Sequence, residues 1–176
     1  KKLGIESRFV RGLRVTDAPT MEIVEMVLVG QVNKRIVADM NRFGGRAVGL
    51  SGKDATLLSA RKIAHVQAGT AEAPELVDPG HVGEVAAVNV EIVQKLDDAG
   101  YIPVIAPVGV GPNGESYNIN ADHVAGAVAG ALRAEKLIHL TDVAGVKDKE
   151  GNLVPSLTAE QAKSWISSGI ISGGMI

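Results

Sequence analysis

Residues 89–106 read NVEIVQKLDDAGYIPVIA, a helical pattern that passes directly into a strand pattern. Apolar side chains recur at helical spacing over residues 90–99, with Asn89 as the expected N-cap and Gly100 as the stop signal. Residues 101–106 are apolar without alternation, which is typical of a strand that is buried on both faces. A helix that leads into a buried strand of this kind predicts a parallel βαβ unit.

The same alternation of helix and strand extends in both directions from this stretch. Helical periodicity covers residues 20–42, and Gly44 and Gly45 end it. A Thr-x-x-Gln capping box at Thr158 predicts a last helix that ends near Ser168. Strand signals cover residues 47–50, short pieces within 57–85, and residues 136–141. The chain therefore predicts an α/β fold, with an open and mainly parallel sheet sandwiched between helices.

Composition limits the classes of protein and partner. The 176 residues fit one domain; 45% are hydrophobic and only 3% aromatic, so Val, Ile, Leu and Ala are expected to form the core. The 18 basic and 20 acidic residues nearly cancel without a basic stripe, which argues against nucleic acid and anionic membranes as partners. No apolar run reaches the roughly 18 residues of a membrane span. Cysteine is absent, which excludes a thiolate metal site and is compatible with a cytoplasmic location.

Three short polar side chains precede the apolar helix pattern of residues 124–132, namely Asn118, Asn120 and Asp122. Asn and Asp are strong N-cap residues, so one of them is expected to cap this helix. A cap needs only one such residue, and the N–H groups and positive dipole end of a helix also favour an anionic ligand. The segment by itself leaves both a helix cap and a ligand site open.

Two glycine-containing segments imitate phosphate-binding motifs. Residues 109–114 fit the G-x-G-x-x-G pattern, but Pro112-Asn113-Gly114 is a tight-turn signal, so we expect a hairpin. Residues 47–54 resemble the end of a P-loop but carry Ala47 and Asp54 where that motif requires Gly and a hydroxyl residue. Lys53 is left open as a solvated turn lysine or a lysine that meets an anion.

A second polar cluster lies where the predicted strand 136–141 ends. Thr141 and Asp142 supply a hydroxyl and a carboxylate, and the small residues Ala144 and Gly145 follow. Ligands of open α/β sheets gather at the carboxyl ends of strands, where small residues let a flat ring or a ribose approach the backbone. An ordinary turn with Asp142 as turn former is the alternative.

Several motifs, in matching order and spacing, point to one known family. They are Gly-Leu-Arg-Val-Thr (12–16), Met-Val-Leu-Val-Gly (26–30), Gly-Leu-Ser-Gly-Lys-Asp (49–54), residues 117–122 with their Asn-x-Asn-Ala-Asp motif, and residues 140–146 and 172–176. With these motifs the chain resembles the acetylglutamate kinases, which belong to the amino acid kinase superfamily. The pairing of Asn-x-Asn-Ala-Asp with Gly-Leu-Arg-Val-Thr is far more specific than either motif alone.

The resemblance implies an open eight-stranded, mainly parallel sheet and a phosphoryl transfer from ATP to N-acetyl-L-glutamate. The product would be N-acetyl-L-glutamyl 5-phosphate, an intermediate of arginine biosynthesis. In a single domain fragment (1–176), residues 1–135 would belong mostly to the acyl-amino-acid-binding part, and residues 136–176 would begin the nucleotide-binding part. The family's two catalytic lysines would precede Gly4 and follow Ile176, so we expect a central piece of an enzyme that is inactive by itself.

The matched residues take their expected roles from the same resemblance. Arg14 would hold the α-carboxylate of N-acetylglutamate through its guanidinium fork, and Asn118 would hydrogen-bond the same substrate, with Asn120 behind it. Asp122 would organise the catalytic lysines rather than act as a base, because the attacking carboxylate is already ionised near pH 7. The expected nucleotide-binding residues are Thr141, Asp142, Val143, Ala144, Gly145, Val146, Lys147, Ile170, Ile171 and Ser172.

The resemblance also implies the cofactor and partners. Mg²⁺ is expected on nucleotide oxygens and water, without an all-protein cage. A homodimer or a higher homo-oligomer is the family default. Two alternatives stay open: a related kinase that acts on a carrier-bound aminoadipate, and a non-catalytic module that keeps the ligand contacts but lacks the catalytic lysines.

Overall fold

The structure, a computed structural model, describes residues 9–10, 13–69, 74–141 and 143–171. The chain divides into two compact units, Lys1–Leu137 and Ile138–Ile176. The strands are β1 (Phe9–Val10), β2 (Leu13–Arg14), β3 (Ala47–Ser51), β4 (Leu58–Lys62), β5 (Val66–Gly69), β6 (Pro74–Val77), β7 (Val82–Val88), β8 (Ile102–Ala106), β9 (Val108–Val110) and β10 (Ser116–Ile119). The α-helices are α1 (Ala18–Glu25), α2 (Lys34–Arg42), α3 (Glu91–Asp98), α4 (Ala121–Leu132) and α5 (Ala159–Ser167).

A long helical segment begins at α1 and continues through a π-helical stretch, Met26–Asn33, into α2. Asp17 caps its start, because the Asp17 carboxylate accepts a hydrogen bond from the N–H of Thr20 at 2.9 Å. The chain turns away at Gly44, whose φ of 88° suits glycine. The helix predicted over residues 20–42 is confirmed, although its π-helical middle was not foreseen.

Asn33, the last residue of the π-helical stretch, is buried and joins the helix to two strands. Its Nδ2 donates hydrogen bonds to the carbonyl oxygens of Leu50 at 3.3 Å and Val104 at 2.7 Å. Its Oδ1 has no hydrogen-bond partner among the described residues and lies against Gly49, where an added Cβ would overlap it. The helix therefore packs closely on β3 and β8 at a position that only glycine permits.

Parallel pairing joins β3 to β8 over the full length of both strands, and β7 to β10. The ladders β1–β2, β4–β7, β5–β6 and β9–β10 are antiparallel. β4 carries a bulge between Ser59 and Ala60. The strands β4, β7, β10 and β9 close on one another rather than lying in one open sheet with β3 and β8. The α/β class with parallel strand pairs is confirmed, while this closed arrangement was not expected.

The hydrophobic core of the first unit is mainly aliphatic, as the composition predicted. Leu57 and Leu58 are completely buried. Tyr117 and Ile119 of β10 and Val124 of α4 belong to the same buried cluster. The strand and the helix that flank the Asn118–Asp122 region are therefore both anchored in the core, which fixes the turn between them.

Residues 136–141 form no strand, which corrects the sequence prediction. Leu137, Ile138 and Leu140 are 44%, 77% and 97% exposed, and no described strand pairs with this segment. A strand needs a neighbour for its backbone hydrogen bonds and a surface on which its side chains are buried. Within the described part of the chain this apolar run has neither.

The predicted cap of α3 also needs correction. The residue at the N-cap is Val90, which makes no side-chain capping bond, so α3 begins one residue later than Asn89 would place it. Asn89 instead contacts the distant turn at residues 54–56, because its Nδ2 donates to the carbonyl oxygen of Ala55 at 3.1 Å. Its Oδ1 still accepts a long hydrogen bond of 3.3 Å from the N–H of Glu91. The predicted helix itself is confirmed.

The second unit contains a tight turn followed by a helix. Lys147 and Leu153 form an antiparallel bridge around Asp148, whose carboxylate accepts a hydrogen bond from the N–H of Asn152 at 2.8 Å. This bond is the foremost cause that lowers the pKa of Asp148.

The helix of the second unit, α5, begins as the sequence predicted. Thr158 and Gln161 form the capping box, with the Gln161 N–H donating to Thr158 Oγ1 at 3.1 Å and the Thr158 N–H donating to Gln161 Oε1 at 2.8 Å. None of the described helices is long and apolar enough to cross a membrane.

Candidate active site

A cavity of about 110 Å³ opens in the first unit beside the end of β10. It brings together three residues that the sequence assigned to substrate, Arg14, Asn118 and Asn120, and its remaining walls are apolar: Phe9, Leu13, Val82 and Ile119. A guanidinium and two amides in an otherwise apolar cavity suit a small anion with an apolar body.

The alternation of β10 positions Asn118. Tyr117 and Ile119 are buried in the core, so Asn118 between them lies on the opposite face of the strand. Its backbone N–H donates to the carbonyl oxygen of His81 at 2.9 Å, which fixes the strand end. Gly83 on the neighbouring strand permits this packing, because an added Cβ would lie 2.9 Å from Tyr117 Cβ.

Asn120 is the N-cap of α4. Its Oδ1 accepts hydrogen bonds from the N–H groups of Asp122 at 2.9 Å and His123 at 3.2 Å. The sequence left a cap and a ligand site open for this cluster, and Asn120 both caps the helix and lines the cavity. Because these two N–H groups are occupied, the positive charge on the cavity wall comes from Arg14 rather than from them.

Arg14 reaches the cavity from the short hairpin of β1 and β2. It pairs with Phe9 across the hairpin, and its Cζ lies 4.5 Å from the centre of the Phe9 ring. This is a cation–π contact, and the planar fork of guanidinium N–H donors matches the geometry of a carboxylate.

Thr16 connects two of these residues and was not predicted from the sequence. It is completely buried, and its hydroxyl donates to the carbonyl oxygen of Arg14 at 2.8 Å. The hydroxyl oxygen of Thr16, Oγ1, in turn accepts a hydrogen bond from Nδ2 of Asn118 at 3.5 Å. Its membership of the Gly-Leu-Arg-Val-Thr motif was the available signal, since a lone threonine beyond a strand indicates no chemistry.

Asp122 lies in the first turn of α4 and is exposed. It does not line the cavity, but it follows the cavity residue Asn120 by two positions. At this position its carboxylate lies at the positive end of the helix dipole. Its assignment as an organiser of lysines stays a prediction.

Lys53 makes contacts that the sequence did not indicate. Its Nζ donates to Glu25 Oε1 at 2.9 Å and to Ser116 Oγ at 3.1 Å, and Ser116 Oγ donates to Glu25 Oε2 at 2.8 Å. Partial burial acts to raise the pKa of Glu25, but the hydrogen bonds from Lys53 and Ser116 outweigh it and lower that pKa overall. The lysine is therefore part of an ion pair and not a simple solvated turn residue.

The expected nucleotide-binding residues that the structure describes lie in the second unit. Thr141, Val143, Ala144, Gly145 and Lys147 are exposed, and Val146 is half-buried. Gly145 has a φ of 144°, a backbone conformation that other residues rarely adopt.

The end of the second unit carries the remaining expected nucleotide contacts. The N–H groups of Ile170 and Ile171 donate to the Trp165 carbonyl at 2.9 and 3.2 Å, so this segment folds back on the end of α5. Asp142 and Ser172 lie outside the described residues.

The G-x-G-x-x-G lookalike is a hairpin, as predicted. The antiparallel strands β9 and β10 flank it, and the N–H of Gly111 donates to the carbonyl oxygen of Glu115 at 2.8 Å. The N–H of Gly114 closes the turn on the Gly111 carbonyl at 3.1 Å. No helix opens from these glycines, so this segment lacks the geometry of a dinucleotide fingerprint.

Known proteins match the sequence over the whole chain. The sequence profile described as Amino acid kinase family matches residues 1–176. Acetylglutamate kinase of Geobacter metallireducens is 59% identical over 100% of this chain, and that of Geobacter sulfurreducens is 60% identical over 176 residues. The chain spans about 60% of the length of these two curated relatives.

Solved structures share the fold. A protein of Streptococcus mutans UA159 superposes with a TM-score of 0.83 at 28% identity, over 99% of this chain and 66% of that chain. N-acetylglutamate synthase of Neisseria gonorrhoeae, complexed with coenzyme A and N-acetyl-glutamate, gives a TM-score of 0.74 at 28% identity, over 93% of this chain and 35% of its own. The motifs, the α/β fold and the full-length profile match agree, and the chain belongs to the amino acid kinase family.

Proposed function

We propose that the full-length protein transfers the γ-phosphoryl group of ATP to the side-chain carboxylate of N-acetyl-L-glutamate. The observation that carries the proposal is the cavity in which Arg14, Asn118 and Asn120 meet. N-acetyl-L-glutamate offers a carboxylate for the guanidinium, the N–H and C=O of its one acetamido group for the two carboxamides, and a methylene chain for the apolar walls. The identity of about 60% to acetylglutamate kinases supports the same substrate.

The chemistry requires positioning and positive charge rather than a base. The acceptor carboxylate is ionised near pH 7, so no proton has to be removed before it attacks the γ-phosphorus atom. The phosphoryl group then passes in line to the carboxylate oxygen while the bond to the ADP oxygen breaks. We propose that lysines elsewhere in the full-length protein stabilise the charge on the phosphoryl oxygens, and that Asp122 holds them in place.

The nucleotide would be bound by the part of the protein that begins at residue 136. The exposed turn with the small residues Ala144 and Gly145 fits a nucleotide, because it lets a ring or a ribose approach the backbone. Asp142, Val146, Lys147 and the segment Ile170–Ser172 complete the proposed contacts. Mg²⁺ would be coordinated by the nucleotide phosphates, with water as its other ligands.

Two rival functions differ in the ligand or in the chemistry. A kinase for a carrier-bound aminoadipate would use the same Arg14 and Asn118 to bind a substrate whose side chain is longer than that of glutamate. A non-catalytic module would bind N-acetyl-L-glutamate without turnover. The Neisseria gonorrhoeae N-acetylglutamate synthase shares the fold over 35% of its own chain, so the fold also occurs in a protein whose name does not state a kinase activity.

The decisive experiment uses the full-length protein encoded by the gene. ADP release is followed with N-acetyl-L-glutamate, L-glutamate or carrier-bound aminoadipate as acceptor, and hydroxylamine traps any acyl phosphate as a hydroxamate. ADP and hydroxamate that appear only with N-acetyl-L-glutamate support the proposal. Turnover with carrier-bound aminoadipate alone would show that aminoadipate, not N-acetyl-L-glutamate, is the substrate. Calorimetric binding of N-acetyl-L-glutamate without ADP release would favour the non-catalytic module. Light scattering of the same sample tests the proposed homodimer or higher oligomer.

A further inference from the structure

The hydroxyl of Thr16 joins the backbone of Arg14 to the side chain of Asn118, the two residues that the proposed function assigns to the acyl amino acid. Thr16 has no exposed surface, and its Oγ1 donates to the Arg14 carbonyl at 2.8 Å. Asn118 lies 102 positions further along the chain, yet its Nδ2 donates to the same Oγ1 at 3.5 Å. One buried hydroxyl thus joins the backbone of Arg14 to the carboxamide of Asn118.

The backbone of Thr16 is itself held in place. Its N–H donates to the Pro79 carbonyl at 2.8 Å, and the N–H of His81 donates to the Thr16 carbonyl at 2.6 Å. Gly80 between them has a φ of 75°, and a Cβ at that position would overlap the Thr16 carbonyl group. Since the His81 carbonyl also accepts from the Asn118 N–H at 2.9 Å, residues 79–81 fix Thr16 and Asn118 relative to each other.

The hydroxyl of Thr16 has one proton, and it donates that proton in the hydrogen bond to the Arg14 carbonyl oxygen. Toward Asn118 it can therefore only accept, which selects the NH₂ end of the carboxamide for Thr16. The opposite end, Oδ1, is then the atom that Asn118 offers to a ligand in the cavity. A bound N–H donor, such as the acetamido group of an N-acyl amino acid, matches this orientation.

We propose that Thr16 is a positioning residue that sets the carboxamide orientation of Asn118 and aligns it with Arg14. The proposal rests on the proposed function, because it takes the N-acyl amino acid as the ligand of this cavity. Without the hydroxyl, the Asn118 carboxamide is free to turn over and present NH₂ to the N–H of the ligand. The Arg14 carbonyl also loses its side-chain donor.

The test compares Thr16→Val with Thr16→Ser in the full-length protein. Thr16→Val keeps the shape and deletes the hydroxyl, so we expect KM for N-acetyl-L-glutamate to rise about 5- to 10-fold, the effect of one hydrogen bond. KM for ATP should stay within about twofold of the wild-type value, because only the acyl amino acid meets Asn118. Thr16→Ser should restore KM for N-acetyl-L-glutamate to within about threefold, since it keeps the hydroxyl.

A matched control separates positioning from a general loss of stability. Asn41 exchanges hydrogen bonds with the backbone of Ala47, at 2.6 and 3.2 Å, and does not line the cavity. Asn41→Ala should lower the melting temperature without a selective change in KM for N-acetyl-L-glutamate. An equal rise of both KM values in Thr16→Val, or failure of Thr16→Ser to restore affinity, would overturn the proposal.

An analogue in which an ester oxygen replaces the acetamido N–H tests the orientation directly. The rise of KM caused by Thr16→Val should be smaller with this analogue, because the analogue has no N–H that could donate a hydrogen bond to Asn118 Oδ1. An unchanged rise of KM would contradict the proposed orientation. If the wild-type protein shows no kinase activity, the proposed function fails by itself. The same comparisons are then made as dissociation constants by calorimetry, so the role of Thr16 is still decided.

Discussion

Lys53 and Glu25, 28 positions apart in the chain, form an ion pair with 2.9 Å between Nζ and Oε1. Glu25 is the last residue of α1, where the helix changes to its π-helical stretch, and Lys53 lies in the turn after β3. Ser116 at the start of β10 donates to the same carboxylate at 2.8 Å. This pair links the helix, the β3 turn and the strand that carries Asn118.

The first prediction concerns the pH dependence of this link. Because its folded-state pKa is lowered, Glu25 adds stability above its unfolded pKa, and that contribution is lost as pH falls through the folded pKa. Lys53→Met should therefore lower the free energy of unfolding at neutral pH. The two side chains are 38% and 34% exposed, so the loss should be under about 1 kcal/mol.

Urea unfolding of the wild type, Lys53→Met, Glu25→Gln and the double variant at several pH values measures the pair. We expect the coupling in the double-mutant cycle to be present at pH 7 and to vanish below the ordinary carboxylate range, once Glu25 is protonated. A coupling that persists unchanged in acid would show that packing, not charge, joins the two residues.

A second prediction concerns the choice of ligand by Arg14. Arg14→Ala in the full-length protein should raise KM for N-acetyl-L-glutamate strongly and leave KM for ATP nearly unchanged, because one substrate alone loses a charge-assisted pair. The expected loss is about 1.5–3 kcal/mol. Arg14→Lys is the matched control: it keeps the charge but not the fork, so it should restore only part of the affinity. Equal weakening of both substrates would make Arg14 structural.

A third prediction uses the buried amide of Asn33. Asn33→Asp places a carboxylate oxygen where Nδ2 donates to the carbonyl oxygens of Leu50 and Val104. Three oxygen acceptors then face one another with no hydrogen to share between them. At pH 7 we expect a loss of about 3 kcal/mol or more, above that of Asn33→Ala. Burial should raise the pKa of the new carboxyl group, so unfolding experiments at lower pH should recover part of the stability. A loss that does not depend on pH would contradict this reasoning.

Local chemistry was readable from the sequence wherever a few adjacent residues determine the structure. The capping box of Thr158 and Gln161 and the hairpin of residues 109–114 were both found, because each depends on neighbours in the chain. Asn120 as a cap was also within reach, although the sequence could not separate a cap from a ligand residue. In the structure Asn120 caps α4 and also lines the cavity, and its role toward a ligand stays a prediction.

Contacts between distant segments were not readable. The Asn118–Thr16 hydrogen bond spans 102 positions and the Lys53–Glu25 pair spans 28, and neither leaves a pattern in its own neighbourhood. The apolar residues 136–141 matched a strand pattern, but a pattern cannot provide the neighbouring strand that a ladder requires. The resemblance to a family, rather than periodicity, therefore carried the assignment of Arg14.

A fourth prediction separates the two positions that Asn120 takes. Asn120→Ala should lower the free energy of unfolding by about 1 kcal/mol, because the N–H groups of Asp122 and His123 lose their acceptor. Asn120→Asp keeps the cap and should retain stability, but it adds negative charge to the cavity wall. We therefore expect Asn120→Asp to bind N-acetyl-L-glutamate more weakly than the wild type, measured by calorimetry. Unchanged affinity would remove Asn120 from the ligand site.

The last prediction decides among three roles for Asp122. Asp122→Asn keeps the shape of the side chain and deletes its charge. If the carboxylate organises the catalytic lysines, kcat of the full-length enzyme should fall about 10²-fold or more, because misplaced cations stabilise the transition state less.

The substrate KM values of Asp122→Asn should change little, since Asp122 does not line the cavity. Stability should also change little, because Asn120, not Asp122, caps α4. A general base would instead produce an acidic limb in the wild-type kcat profile that the variant lacks. A purely structural carboxylate would lower the melting temperature and leave kcat intact. Measuring kcat, both KM values and the melting temperature of this variant distinguishes the three roles, and a wild-type kcat would exclude Asp122 from the reaction.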